Sequence, residues 1–401
     1  MIKHELIVKA LEDAGKAAGN GSLVDIILAK AQELKGLDYR ETAVLLSACE
    51  KNPELREKIF SIAGRIKEKI YGKRIVMFAP LYVSNYCVNS CKYCGYHAGS
   101  DIIRKKLTVE EVAAETRAIC EMGHKRIALE AGEDPENCGI DYILDCMKTV
   151  YETKSGNGEI RRINVNIAAT SVENYRKLKN AGIGTYILFQ ETYHEPTYKM
   201  LHPNGPKSDY IYHLTAHDRA MEGGIDDVGI GVLFGLFEYK YEVVASMLHI
   251  QHLEKTFGIG PHTVSVPRLK PAEGVDINSY PYLVSDEQFK ILVAVYRLAV
   301  PYTGLIISTR EDEKLRSEVI ALGISQASGG SCTGVGGYGG GESDKITIMP
   351  RQFRDEQVQR TRVPAGAPRP PLANAAYVLK RNLTDGGEPP RANAAYALRR
   401  N

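Results

Sequence analysis

From Arg74 to about residue 328, short apolar runs alternate with longer amphipathic stretches, and this alternation constrains the fold more than any other feature of the sequence. The apolar runs fall near residues 75–84, 126–131, 162–168, 185–190, 227–234, 263–269, 304–309 and 324–328. Runs this short and this uniformly apolar read as strands, and the stretches between them as crossover helices, which together call for a parallel sheet covered on its faces. The helices carry recognisable ends. Thr108 with Glu111 and Ser285 with Gln288 have capping-box spacing, and Gly123, Gly182 and Gly323 stand where left-handed C-terminal caps belong. Eight such repeats predict an α/β chain with a (β/α)8 TIM-type barrel. A doubly wound open sheet is the alternative, because periodicity does not report closure.

The flanks read differently. Residues 1–72 carry apolar positions at three- and four-residue spacing and form an N-terminal helical segment packed outside the main domain, residues 73–338. From about residue 342 the composition shifts to Arg, Pro, Gly and Ala, and the stretch beginning at Ala373 nearly recurs from Ala392 to Asn401. Residues 339–401 therefore read as an irregular tail.

A barrel places its chemistry at the C-terminal ends of its strands. The first run leads directly into Cys87-Val-Asn-Ser-Cys91-Lys-Tyr93-Cys94, three thiols in a C-x3-C-x2-C loop. Three soft thiolates hold three corners of a [4Fe-4S] cluster and leave one iron open. An open iron has no structural use, but it is needed where S-adenosylmethionine (SAM) binds the cluster and is cleaved by its electron. The bland alternatives are a closed zinc site completed by His97 and a non-catalytic iron-sulfur scaffold. The second run ends in Glu130-Ala-Gly132-Glu133, where the glycine permits close approach of backbone to ligand and Glu133 can accept from an ammonium group. The third run offers Asn166, the fourth Gln190 and Glu191, the sixth Arg268 and the seventh Arg310. A fixed guanidinium such as Arg310 suits a two-point grip on an amino-acid carboxylate.

Other residues fall outside that rim. His262 precedes the sixth run and belongs to the opposite, N-terminal rim. His202, His213 and His217 are expected on solvated loop or helix faces, and Cys49, Cys120, Cys138 and Cys146 in the core. The glycine-rich stretch after Gly329 is expected to make a tight turn that closes the barrel. A formal net charge of +2 gives no electrostatic case for nucleic acid or an anionic membrane. The chain begins without a secretion signal and carries no membrane-length apolar run, so a cytoplasmic protein is expected. Eight cysteines in 401 residues are too sparse for a disulfide scaffold.

Several long motifs occur in one order: Ala79 through Tyr96 around the thiols, Phe189-Gln-Glu-Thr-Tyr-His194, Gly260-Pro-His-Thr-Val-Ser-Val-Pro-Arg-Leu269, Ser308-Thr-Arg-Glu311 and Ser331-Cys-Thr-Gly-Val-Gly-Gly-Tyr338. With these motifs the sequence resembles the radical SAM tyrosine lyases, and within them the members that mature [FeFe]-hydrogenase. The likeness spans roughly residues 1–338. It implies a reduced cluster on Cys87, Cys91 and Cys94 that cleaves SAM to methionine and a 5'-deoxyadenosyl radical. Hydrogen abstraction from L-tyrosine then breaks its Cα–Cβ bond and yields p-cresol and dehydroglycine, which the maturation members convert to carbon monoxide and cyanide. Carried over by motif, Tyr93 is the aromatic of the cluster signature, Gly132 and Glu133 hold the SAM amino group, and Asn166 and Gln190 seat SAM. Arg310 holds the tyrosine carboxylate, with Gln190 and Glu191 beside it. His262 matches the histidine facing a second, auxiliary iron-sulfur cluster. An electron donor such as ferredoxin or flavodoxin and other hydrogenase maturation proteins are the implied partners. The family binds its auxiliary cluster through C-terminal cysteines, whereas no cysteine follows Cys332 here. An altered or truncated tail is the expected reason, and 2-iminoacetate synthase of the thiazole pathway, which stops at dehydroglycine, is the nearest rival.

Overall fold

The computed structural model describes residues 2–271 and 275–338. Its strands are β1 (Val76–Ser84), β2 (Arg126–Ala131), β3 (Lys154–Ser155), β4 (Gly158–Glu159), β5 (Arg162–Asn166), β6 (Tyr186–Ile187), β7 (Val228–Gly231), β8 (Thr263–Ser265), β9 (Gly304–Ile307) and β10 (Gln326–Ser328). Eight of them close in the order β1-β10-β9-β8-β7-β6-β5-β2, which removes the open-sheet alternative. Every pairing in the barrel is parallel. All eight coincide with the apolar runs. The β3–β4 hairpin was not foreseen. Its strands are two residues each and turn at Gly156, whose φ is +53°, so they are too short to leave a periodic signal.

Caps explain where the helices begin. Thr108–Glu111 and Ser285–Gln288 form reciprocal capping boxes, opening the helices Val109–Glu121 and Asp286–Ala299. Gly123 and Gly182 adopt φ of +92° and +82° as expected. Gly323 does not: its φ is −173°, an extended value open to any residue. What requires glycine there is close packing, since a Cβ would lie 3.0 Å from both the Val293 carbonyl oxygen and Arg297 Cβ.

The helices His4–Ala17, Gly21–Gln32, Tyr39–Lys51 and Pro53–Tyr71 occupy the N-terminal segment and pack on the barrel helices Tyr239–Phe257 and Asp286–Ala299. This covering explains why Ile291 through Ala299 are all buried, as on a helix apolar all round. Arg297 lies within that run. Its guanidinium donates to the carbonyls of Gly323 (3.0 and 2.7 Å), Pro301 (2.8 Å) and Thr303 (3.0 Å), tying the loops at the N-terminal rim.

After β10 the glycine-rich stretch folds back on β1, as anticipated. The Gly329 amide donates to the Phe78 carbonyl at 2.9 Å, and the Tyr338 hydroxyl donates to the Pro80 carbonyl at 2.8 Å. The tail of residues 339–401 lies outside the described residues. Among those that are described, no helix is long and apolar enough to cross a membrane.

Candidate active site

The thiol loop leaves β1 at the C-terminal rim and is held in shape before any ligand arrives. Arg104 donates to the carbonyls of Asn85 (2.6 Å), Tyr96 (2.9 Å) and His97 (2.6 Å), so one cation closes both ends of the loop. Buried Asn85 adds bonds to the Ile103 carbonyl and the Lys105 amide. At the centre sits Asn89. Its Nδ2 donates to Glu133 Oε2 at 2.6 Å and approaches Cys87 Sγ at 3.7 Å, while its Oδ1 accepts from the Lys207 amide at 2.9 Å. The Val88 amide meets the Glu133 carbonyl at 2.8 Å.

Gly132 is needed by the thiol loop itself. A Cβ there would lie 2.2 Å from the Tyr86 carbonyl oxygen and 3.1 Å from Cys87 Cβ, so the close approach is to the thiol loop itself. The same glycine thereby fixes Glu133 beside Asn89. Burial pushes the Glu133 carboxyl up, against the Asn89 hydrogen bond that lowers it.

Burial pushes the Cys91 thiol up to about 12 and also raises Cys94, while the Lys207 cation opposes both shifts. Thiols raised in this way are deprotonated by the metal centre they bind rather than in advance. His97, the fourth ligand of the zinc alternative, turns Nδ1 to the Cys94 carbonyl at 2.7 Å. Among the described residues no three His, Cys, Asp or Glu side chains converge on a single metal ion. A closed zinc site is thus without its ligand set, whereas a cubane needs its thiolates spread around four irons.

Around the rim, Asn166 ends β5 opposite Glu130 in the ladder. Gln190 is 3 % exposed and its Nε2 has no partner among the described residues. An orphaned buried amide is costly unless a ligand completes it, so Gln190 fits a bound polar cofactor. Glu191 has φ of +66°, a left-handed backbone that costs about 1–2 kcal/mol for a non-glycine residue. Its carboxylate pairs with Lys207 Nζ at 2.7 Å, so it enters the site as a fixed charge. Glu242 supports this segment from below by accepting from the Thr192 hydroxyl and the Tyr193 amide.

The two arginines read from the sequence part company. Arg268 is buried against Glu311, Asp286 and the Val284 carbonyl, which engage four of its five N–H donors. Arg310 donates to one carbonyl, Pro271 at 3.1 Å, and has no carboxylate among the described residues. The Tyr82 ring lies within the field of both Arg310 and Cys94, which sets the guanidinium and the thiol loop at one mouth.

Three placements escaped sequence reasoning. Tyr82 on β1 lies opposite Glu130, its ladder partner on β2, and burial pushes that carboxyl up to about 7. Lys207 lies beyond any strand end, so no rule on rim positions selected it. His202, His213 and His217, expected to be solvated, are instead 1–3 % exposed. Their short helices lie flat on the barrel, and the rings bond Tyr93 Oη (2.7 Å), the Phe189 carbonyl (2.8 Å) and the Gly229 carbonyl (3.0 Å). Tyr93 is thereby locked between the thiols. The core assignment holds for Cys49, Cys120 and Cys146, and Cys138 is half-buried. His262 lies at the N-terminal rim as expected, its amide on the Val228 carbonyl and its Nδ1 3.7 Å from Asp227 Oδ1.

A closed parallel barrel whose first strand delivers three thiols to its C-terminal mouth defines the radical SAM class. The radical SAM superfamily matches residues 81–249, and the biotin and thiamin synthesis associated domain matches residues 265–370. The 2-iminoacetate synthases of Salmonella typhimurium and Escherichia coli K12 are each 32% identical, covering 74% of this chain and 77% of theirs. A crystal structure of HydG, a maturase of the [FeFe]-hydrogenase, is 59% identical with a TM-score of 0.85, covering 88% of this chain and 76% of its own. That of HydG from Carboxydothermus hydrogenoformans is 42% identical with a TM-score of 0.79, covering 87% and 80%. The chain belongs to the radical SAM superfamily and, within it, to the tyrosine lyases.

Proposed function

We propose that this enzyme cleaves the Cα–Cβ bond of L-tyrosine to p-cresol and dehydroglycine, in the service of carbon monoxide and cyanide synthesis for [FeFe]-hydrogenase maturation. The observation that carries the reading is Arg310, a half-buried guanidinium with no carboxylate among the described residues, placed at the mouth that holds the thiol loop. Cys87, Cys91 and Cys94 would hold three irons of a [4Fe-4S] cluster, and Tyr93, Gly132, Glu133, Asn166 and Gln190 would seat SAM. When bound, cluster and SAM supply a one-electron cleavage that delivers a carbon radical to the substrate.

The chain's own residues do the rest. Arg310 binds the tyrosine carboxylate by charge-assisted hydrogen bonds and orients Cα toward the cofactor. Glu133, steadied by Asn89, accepts from the SAM ammonium, and the Gln190 amide donates to SAM where it now lacks an acceptor. The strain at Glu191 is held in place by its pairing with Lys207. His262 would face an auxiliary cluster at the far rim. A low-potential one-electron protein donor, ferredoxin or flavodoxin, and other maturation proteins are the partners this chemistry calls for.

Anaerobic assay of the reconstituted enzyme with SAM, tyrosine and a strong reductant tests the proposal. It expects p-cresol together with cyanide and carbon monoxide, and absence of p-cresol would overturn it. A second reading, the 2-iminoacetate synthase activity, is favoured by the 32% identity to enzymes of that name over 74% of this chain. It predicts p-cresol with glyoxylate from hydrolysed dehydroglycine and neither diatomic product.

A further inference from the structure

In the function proposed above Lys207 enters only as the partner of Glu191, yet its cation is closed in beside the thiol loop. Its side chain is 17% exposed, and Nζ lies 5.9 Å from the centre of the Tyr93 ring, the residue between Cys91 and Cys94. Three bonds fix it: the backbone amide on Asn89 Oδ1 at 2.9 Å, the carbonyl under the Tyr198 hydroxyl at 2.6 Å, and Nζ on Glu191 Oε1 at 2.7 Å. Gly205 brings this segment close, since a Cβ there would lie 2.4 Å from Asn89 Oδ1. On both Cys91 and Cys94 the field of Lys207 exceeds that of Glu191. The cation is thus the dominant charge of the pair at the sulfurs, and the left-handed backbone of Glu191 turns a carboxylate to hold it there.

Reduction adds an electron to a cluster already bearing three thiolates. A cation fixed in a medium of low dielectric favours the reduced form, and a fixed anion disfavours it. We propose that Lys207, positioned by Glu191, raises the reduction potential of the cluster bound by Cys87, Cys91 and Cys94. This rests on the reading that those thiols carry a cluster. Lys207 acts as a fixed charge on the cluster rather than as one of its ligands.

The test is a redox titration of the reconstituted full chain, followed by electron paramagnetic resonance without SAM or tyrosine, alongside iron analysis. Lys207→Met is expected to lower the reduced-to-oxidised ratio at the wild-type midpoint about tenfold, a negative shift of about 59 mV for one electron. Glu191→Gln is expected to shift the midpoint the other way, and Lys207→Arg to keep it near the wild-type value. Loss of structure alone does not produce shifts of opposite sign. Unchanged midpoints in both neutral variants, or shifts of the same sign, would overturn the proposal. Should Lys207→Met fail to load iron, Glu191→Gln decides: a positive shift supports the proposal, and no shift or a negative one defeats it. A wild-type chain that takes up no four-iron cluster would instead overturn the reading on which the proposal rests.

Discussion

Arg297 and Arg310 lie at opposite rims of one barrel and meet different surroundings. Arg297 is wholly buried and donates to three carbonyls that close the N-terminal loops, and at the same rim Arg162 meets Asp227 Oδ2 at 2.5 Å and Thr185 Oγ1 at 3.0 Å. Among the described residues Arg310 has a single carbonyl and the Gln190 Nε2 has no partner, and the same rim holds the thiol loop. Where the protein answers its own charges it builds a fold, and where it leaves them open it builds a site. The same division lets stability and chemistry be changed separately in a barrel.

Breaking each rim in turn should separate the two effects. The largest is expected at the thiols: Cys91→Ala should abolish four-iron binding and p-cresol formation, read by iron analysis, while the apoprotein melts within a few degrees of wild type. Arg297→Met should do the reverse and cost about 3–5 kcal/mol of stability in urea, because it leaves buried carbonyls unsatisfied. Arg310→Gln should lower kcat/KM for tyrosine about 100-fold, equivalent to about 3 kcal/mol, with SAM binding and urea stability unchanged. Gln190→Leu should weaken SAM binding about tenfold by equilibrium dialysis without loss of stability, since it removes an orphaned amide. The smallest effect lies beneath the upper rim. Burial pushes the Glu242 carboxyl up to about 8 from its ordinary 4.5. The folded protein then keeps a proton that the unfolded chain has lost, so this group makes stability fall as pH rises from about 4.5 to 8. Urea unfolding at pH 5 and pH 8 should show a shallower fall in Glu242→Gln.

The sequence made the strands and the thiol loop legible because both are local. An apolar run between capped helices names a parallel strand wherever the chain later places it, and three cysteines within eight residues carry their own geometry. Lys207 was illegible because its meaning comes from Asn89 and Glu191, brought to it only by folding. The histidines failed for a related reason. On helices of five and seven residues, too short for a periodic pattern to name a buried face, His213 and His217 look solvated, and only the barrel carbonyls of Phe189 and Gly229 show why imidazole is buried there. The sequence offers both Arg268 and Arg310 at strand ends and favours Arg310 for a carboxylate, and the fold closes Glu311 and Asp286 on Arg268.

The claim on which the rest depends is that three sulfurs leave one iron for SAM. Electron paramagnetic resonance of the reduced, reconstituted protein with and without SAM tests it directly. A spectrum that changes when SAM is added is the predicted result, and an unchanged spectrum from a fully loaded cluster would contradict it.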